Sequence, residues 1–342
     1  MIGLTYSPSD VVKEGGTIVF RSSNIQDGVI DYGDLVRVSK KIKDSIITRD
    51  GDLLICARNG STRLIGKNAL LKKSDEGQTF GAFMMVFRSI DNRFVHQLLS
   101  TKAYSTQVSE NLGARINQIT TRNFAEYTFG MPQTSEEKEK IGTFLELIND
   151  RIETQSKIIE EQETLLKSLA DSLISSQVAN MAINDCVVAR SSAMKESELE
   201  NSGPFPVFGA SGLCGYSNEA LEESDSILVT KDGSGVGTCQ YATGAHAFLG
   251  TLCSLTAKEG VYLPYVYYAL LNFNFASFKT GLAIPHIYFK DYGKAVIYCP
   301  SYDEQVRIAS GLEKIEAKIK SDKEILKQYQ LQKEYLLSRM FI

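Results

Sequence analysis

Two stretches of this chain carry an apolar stripe that steps alternately by four and by three residues. In the first, Ile141, Leu145, Ile148, Ile152, Gln155, Ile159, Gln162, Leu166, Leu169 and Leu173 mark the stripe. In the second, Ile308, Leu312, Ile315, Ile319, Asp322, Leu326, Tyr329, Lys333, Leu336 and Met340 do the same. A mean step of 3.5 keeps one edge of a helix against a partner helix over many turns, so it marks a coiled-coil seam rather than a helix lying on a sheet. The spacing predicts two long helices, over 135–179 and 303–342. Pro132 and Pro300 stand just ahead of them, where proline stops a preceding strand. Ser135-Glu136-Glu137 and Asp303-Glu304 supply caps and negative charge to the first turns.

Ahead of each long helix the pattern changes. Short apolar runs bounded by turn residues, over 51–58 and 80–88 and again over 227–231 and 252–257, read as strands. Residues 92–110 place Phe94, Val95, Leu98, Leu99 and Val108 on one helical face. A helix over 263–279 carries Tyr265, Tyr267, Tyr268, Phe273, Phe275 and Phe278. That aromatic stripe fits a core face; stacking on nucleic-acid bases is the other reading of it.

The two halves repeat one another. Val19-Phe20-Arg21-Ser22-Ser23-Asn24 matches Val207-Phe208-Gly209-Ala210-Ser211-Gly212. Asp52-Leu-Leu-Ile-Cys-Ala-Arg58-Asn59-Gly60-Ser61 matches Asp225-Ser-Ile-Leu-Val-Thr-Lys231-Asp232-Gly233-Ser234. Residues 113–132 match 281–300, and a long helix follows each. Three collinear matches indicate a duplication. The expected fold is therefore an α/β (α+β) two-domain chain: a domain over 1–134, a long helix over 135–179, a second domain over 180–302 and a second long helix over 303–342.

Composition narrows the class. The 342 residues are 43% hydrophobic and 23% charged, as expected of a globular protein. No run of 18 apolar residues spans a membrane, and the opening residues lack a basic region followed by an apolar one, so the expected location is cytoplasmic. Six cysteines are scattered without a C-x-x-C pair, which fits reduced core thiols and no structural metal. Residues 136–179 hold 5 basic and 10 acidic side chains, whereas 303–342 hold 8 and 7. The helices thus complement each other within one chain; pairing of each with its copy in a second chain is the alternative. The first domain has 17 basic and 13 acidic residues over 1–135, and the second 7 and 11 over 180–302. With a net charge of −4, this is a weak footprint for gripping DNA unaided.

No catalytic constellation emerges. His96, His246 and His286 lack metal-ligand spacing, and neither an Asn-Pro-Pro-Tyr motif nor a G-x-G-x-x-G loop is present. Gly233-Ser-Gly-Val-Gly237 lacks the Gly-Lys-Ser/Thr ending of a phosphate loop and reads as a turn. The expectation is a non-catalytic protein without cofactor.

Several motifs together resemble the specificity subunit of Type I restriction-modification systems. They are Arg115-Ile-Asn-Gln-Ile119, Glu136-Glu-Lys-Glu-Lys-Ile-Gly-Thr-Phe-Leu145, Phe205-Pro-Val-Phe-Gly-Ala-Ser-Gly-Leu-Cys-Gly-Tyr216, Ile284-Pro-His-Ile287 and Asp303-Glu-Gln-Val-Arg-Ile-Ala309. The resemblance covers essentially the whole chain. It implies two target recognition domains, each reading half of a bipartite double-stranded DNA site, with the two helices packed antiparallel as a spacer. It also implies assembly with two methyltransferase subunits and with restriction subunits, which would supply the missing positive charge. One departure is at the amino end: 16 residues precede Thr17, against about 22 between position 183 and Phe205. The edge of the first domain is therefore expected to be shortened.

Base edges are read by Arg, Lys, Asn, Gln and Ser held on loops, where they donate to and accept from the grooves. The repeated loops supply this kit: Arg21, Ser22, Asn24, Arg58, Asn59, Ser61, Arg115, Asn117 and Gln118 in the first half, and Ser211, Lys231, Asp232, Ser234 and His286 in the second. Any one of them can equally be an ordinary turn residue. The reading of another class is a coiled-coil scaffold or adaptor that binds no DNA, which the acidic sequence pI of about 5.6 fits.

Overall fold

The polypeptide divides into two units, Met1–Gln155 with Ile325–Ile342, and Ser156–Glu324. The computed structural model describes residues 3–112, 117–281 and 284–341.

Unit one opens with nine short strands: β1 (Val11–Val12), β2 (Thr17–Phe20), β3 (Ile25–Gln26), β4 (Val29–Ile30), β5 (Val36–Val38), β6 (Leu53–Cys56), β7 (Asn68–Leu70), β8 (Thr79–Phe80) and β9 (Met84–Phe87). Helices α1 (Asn92–Leu98), α2 (Lys102–Asn111) and α3 (Thr121–Glu126) follow, then the first part of α4 (Ser135–Ala170). One sheet has the order β1-β5-β2-β8, with β2 and β8 parallel; another is the antiparallel β7-β6-β9. Strand β6 is apolar throughout because both its faces are covered. Side chains alternate across a strand, so Leu54 and Cys56 join the core of Val19, Phe20 and Phe80. Leu53 and Ile55 join the opposite core of Met85, Leu99 and Tyr104.

Unit two repeats the frame after β10 (Met181–Ala182), α5 (Ile183–Cys186) and β11 (Val187–Ser191). Its strands are β12 (Phe205–Gly209), β13 (Gly212–Ser217), β14 (Ser226–Thr230), β15 (Cys239–Ala242), β16 (Ala247–Phe248) and β17 (Leu252–Ala257). Then come α6 (Leu263–Leu271), α7 (Phe289–Tyr292), β18 (Val296–Ile297) and α8 (Tyr302–Met340), whose last part belongs to unit one. Strand β12 pairs antiparallel with β13 and parallel with β16, as β2 does with β5 and β8. Strand β14 lies between β15 and β17, as β6 lies between β7 and β9. The sequence repeat is thus a repeat of strand pairing, with one correction. The match of 52–61 to 225–234 is out by one residue, because Cys56 pairs with Met84 as Thr230 pairs with Leu252, which sets Ala57 where Lys231 stands and Arg58 where Asp232 stands.

The two long helices run antiparallel inside each unit. In unit one, Gly142 of α4 lies against α1: a Cβ there would come within 2.8 Å of the Phe94 nitrogen. Phe94 in turn packs against Phe341, just past the end of α8, with the rings tilted and 5.3 Å apart, while further along α4 Arg151 donates to the Tyr329 hydroxyl at 3.0 Å. In unit two, Gln162 donates to Asp322 at 2.9 Å, and Lys323 pairs with Glu163 at 2.6 Å. Nearer the end of α4, the carbonyl of Lys167 accepts from Asn272, while α6 reaches back to Glu316 of α8 through Tyr267 and Tyr268. All ten seam positions of α8 are buried or half-buried.

Three expectations need correction. Residues 92–110 form two helices, because Thr101 caps a fresh start by accepting from the Tyr104 nitrogen at 3.3 Å. The first seam does not run to Leu173, which is 39% exposed. A π-turn at Asp171–Ser175 inserts one residue into the helical phase and buries Ile174 instead. The helix over 263–279 stops at Leu271; a 3-10 turn, Phe275–Phe278, follows. Within it Tyr265, Tyr267 and Tyr268 are buried, so these three stripe residues belong to the core.

Candidate nucleic-acid interface

In unit one the loops after β2 and β6 and the segment before α3 meet. Strand β2 ends at Phe20 and delivers a one-turn loop, Ser22–Asn24; β6 ends at Cys56 and delivers the loop 58–61. Asn59 joins them: its amide nitrogen donates to the Ser22 hydroxyl at 2.9 Å, and its carbonyl oxygen accepts from the Ser61 nitrogen at 3.0 Å. Asn117 donates to the Gly60 carbonyl at 3.3 Å, Gln118 forms a β-bridge with Arg58, and the Ile119 nitrogen donates to the Ala57 carbonyl at 2.7 Å. Ser22, Arg58, Asn59, Ser61, Asn117 and Gln118 therefore form one cluster of polar tips at the end of β6. Arg115 lies outside the described residues.

Arg21 and Asn24 have other tasks. The Arg21 guanidinium donates to the Asp34 carboxylate at 2.7 Å and to the Asp34 carbonyl at 3.0 Å. Asn24 is 1% exposed; its amide donates to the carbonyls of Asp31 and Asp34, and its oxygen accepts from the Arg21 nitrogen. A buried amide with its atoms so engaged cannot present them to a base edge. Asn24 shapes the loop that Ser22 stands on.

Unit two sets the matching loops side by side. Asp232 and His286 form a β-bridge, the Gly233 nitrogen donates to the Pro285 carbonyl at 3.0 Å, and the Ile287 nitrogen donates to the Lys231 carbonyl at 2.9 Å. Gly281 makes the second loop possible: its φ of +88° suits glycine, and a Cβ there would lie 2.3 Å from the Ile284 oxygen. The loop 230–237 closes on itself through Gly237 nitrogen to Thr230 carbonyl at 2.9 Å, leaving Ser234 exposed at its tip. Ser211 is exposed on the β12–β13 turn, which Gln240 ties to the sheet through the Gly209 and Ala210 carbonyls. Among the described residues no hydrogen bond links Ser211 to the Lys231 loop, unlike the Ser22–Asn59 link in unit one.

Under both loop pairs lies a thiol that burial keeps neutral. Burial pushes the Cys56 thiol up to about 11; its sulfur lies 3.6 Å from the Arg58 carbonyl and fills the core as a neutral group. Burial likewise raises the Cys253 thiol. Two residues beside the loops went unmarked in the sequence. The ring of Phe83 lies 5.3 Å from the Arg58 guanidinium, and that of Tyr288 lies 5.3 Å from His286 and 5.2 Å from the Lys290 ammonium. Among the described residues, no group of three or more His, Cys, Asp or Glu side chains is placed to hold a metal ion, and no helix is long and apolar enough to cross a membrane.

A model of the Type I restriction modification DNA specificity domain matches the chain twice, at residues 3–164 and 176–330. The chain belongs to this family. Among curated relatives it is 31% identical over 154 residues to the EcoKI specificity subunit of Escherichia coli, a match covering 42% of this chain and 33% of that protein. It is 27% identical over 188 residues to the StySPI specificity subunit of Salmonella potsdam, covering 52% and 40%. The chain thus spans about a third to two-fifths of the length of these relatives. The fold of the Type I specificity family extends over its full length: a crystal structure of the S subunit from M. genitalium superposes with a TM-score of 0.70 at 19% identity, covering all of this chain and 93% of that one. Each matched segment of this specificity chain contains one of the two loop pairs.

Proposed function

We propose that this chain is the sequence-specific DNA-binding subunit of a Type I restriction-modification complex, and that it is not itself catalytic. Unit one reads one half of a bipartite target through Ser22, Arg58, Asn59, Ser61, Asn117 and Gln118. Unit two reads the other half through Ser211, Lys231, Asp232, Ser234 and His286. The four-part division holds the domains over 1–134 and 180–302 as readers and the helices over 135–179 and 303–342 as the spacer that docks two methyltransferase subunits, with restriction subunits completing the cleaving complex. The observation that carries this reading is the recurrence of one loop pair at the same place in two repeated frames, Arg58 against Gln118 and Asp232 against His286. Arginine suits guanine, and asparagine or glutamine suits adenine, because each offers a matching pair of hydrogen bonds in the major groove.

The test is methylome sequencing of a host carrying the intact system, followed by binding and methylation assays of the reconstituted complex. Arg58→Ala should relax one half-site only and Lys231→Ala the other only, each by about tenfold or more, since a good base-edge contact contributes roughly 1–3 kcal/mol. Equal weakening on all sequences would make both residues phosphate contacts. An assembled complex without DNA affinity would favour the scaffold.

A further inference from the structure

We propose that Phe83 is a positioning residue for base recognition in unit one: its ring holds the Arg58 guanidinium in the orientation that reads guanine. This inference rests on the base-reading role proposed for the loop 58–61. Phe83 is 57% exposed, an unfavourable place for an aromatic ring that fills no core. Its backbone is nevertheless tightly held. The Phe83 carbonyl accepts from both the Ala57 and Arg58 nitrogens at 2.9 Å. The turn it tops is closed by the Met84 nitrogen donating to the Gly81 carbonyl at 2.9 Å, and the Gly81 nitrogen donates to the Phe20 carbonyl at 2.9 Å. A rigid turn thus presents a bare ring beside an exposed arginine, with the guanidinium 5.3 Å from the ring centroid. A cation over an aromatic face is attracted to it while its N–H edge stays free to donate. That edge carries the paired donors that match O6 and N7 of guanine.

The repeat supplies an internal control. The Lys231 nitrogen donates to the Thr251 carbonyl at 2.9 Å, as the Ala57 nitrogen does to that of Phe83, so Thr251 stands where Phe83 stands and Asp232 where Arg58 stands. A threonine offers no ring, and an aspartate carries no cation for a ring to hold. Dependence on a ring at this position should therefore be confined to the half-site read by unit one.

The experiment uses the reconstituted complex with its methyltransferase subunits and DNA duplexes carrying the target found by methylome sequencing. Each base pair of both half-sites is changed singly, and binding is followed by fluorescence anisotropy. Phe83→Ala should weaken cognate binding about fivefold to tenfold, as loss of roughly 1 kcal/mol of cation–π attraction implies. It should also abolish discrimination at the same G·C pair that Arg58→Ala affects. Phe83→Tyr should restore both to within about twofold. The double variant should be no weaker than Arg58→Ala alone, and preferences in the other half-site should not change. Retained discrimination in Phe83→Ala, a loss additive with that of Arg58→Ala, or weakening spread evenly over both half-sites would each overturn the proposal. Should Arg58→Ala alter no base preference, the base-reading role of the loop falls, and this inference with it.

Discussion

In unit two the strand β17 lies between β14 and β11, whereas its counterpart in unit one, β9, pairs with β6 alone among the described residues. The attachments to the long helices differ as well. Unit one uses ion pairs: Arg93 with Glu139 and Glu146, Lys138 with Asp91, and Lys72 with Glu153. Unit two uses neutral donors: the Tyr267 and Tyr268 hydroxyls on Glu316, and the Asn272 amide on the Lys167 carbonyl. Each unit also buries a histidine, in unlike ways. Both ring nitrogens of His246 have partners, the Ser226 hydroxyl at 2.9 Å and the Gly244 carbonyl at 2.8 Å. His96 instead lies against Gly28 and beside Lys333 of α8. What the units hold in common is the frame from β2 to β9 and from β12 to β17, the part that presents the loops. What differs is the rim and the docking on the helices.

The largest effect should come from testing whether the helices set the distance between the readers. Removing residues 152–158 and 326–332 takes one heptad from each helix and keeps both seams in phase. Each helix loses roughly 10 Å at about 1.5 Å per residue. The spacer in the DNA target should then contract by at most about 3 base pairs at roughly 3.4 Å each, with both half-site sequences kept. Methylome sequencing reads the result. A folded variant that modifies the original target would sink the idea that the helices are a spacer.

A second difference to sharpen is the buried histidine of unit one. Burial, with the neighbouring Lys333 ammonium adding to it, pulls the His96 imidazole down to about 4. The Lys333 amine is itself lowered by burial, with Asp27 opposing. An unfolded histidine titrates near 6.5, so between 6.5 and 4 the unfolded chain binds a proton that the folded chain refuses. The stabilising contribution is therefore fully present above pH 6.5 and lost as pH falls toward 4, up to roughly 3 kcal/mol. Burial raises Glu146, which acts the other way around the carboxylate range. Protection factors for amide exchange at β6, taken against the intrinsic rate at each pH, should fall between pH 6.5 and 4.5, and His96→Gln should remove most of that dependence. An unchanged pH profile in the variant would show that another group is responsible.

The long helices were legible because a 3.5-residue period repeated over nearly five heptads is redundant; one misplaced residue cannot hide it. The strand frames were legible from duplication, since weak signals occurred twice. The interruptions were not. Thr101 breaks a helix without breaking the apolar period, because Leu98, Leu99 and Val108 stay buried on either side of it. The π-turn after Ala170 shifts the seam by one residue through backbone geometry alone. In the candidate site, Asn24 and Asn59 look alike in a sequence, and only burial separates a loop brace from a loop tip. Phe83 was hidden inside the run 80–88, which reads as one strand. Gly81-Ala82, small residues between Phe80 and Phe83, were the available sign that the strand stops and a turn begins.

The smallest expected effect concerns the charged docking of unit one. Arg93 donates to Glu139 and to Glu146 at 3.2 Å from each, and its side chain is about half exposed. Its stem also packs on α4, where a Cβ at Gly142 would meet the Arg93 Cβ at 3.2 Å. Arg93→Ala therefore removes both charge and packing, whereas Arg93→Met removes mainly the charge. Exposed pairs contribute at most about 1 kcal/mol and are screened within roughly 10 Å at 0.1 M salt. The Arg93→Met variant should lose a few tenths of a kcal/mol to about 1 kcal/mol of stability in dilute buffer. Denaturant unfolding in 0.05 M and 0.5 M salt separates the two contributions. The deficit of Arg93→Met should shrink at high salt, while the additional deficit of Arg93→Ala should persist. A methionine deficit that does not change with salt would mean that unit one, like unit two, is held to its helices by packing and hydrogen bonds, and the contrast in docking would fall.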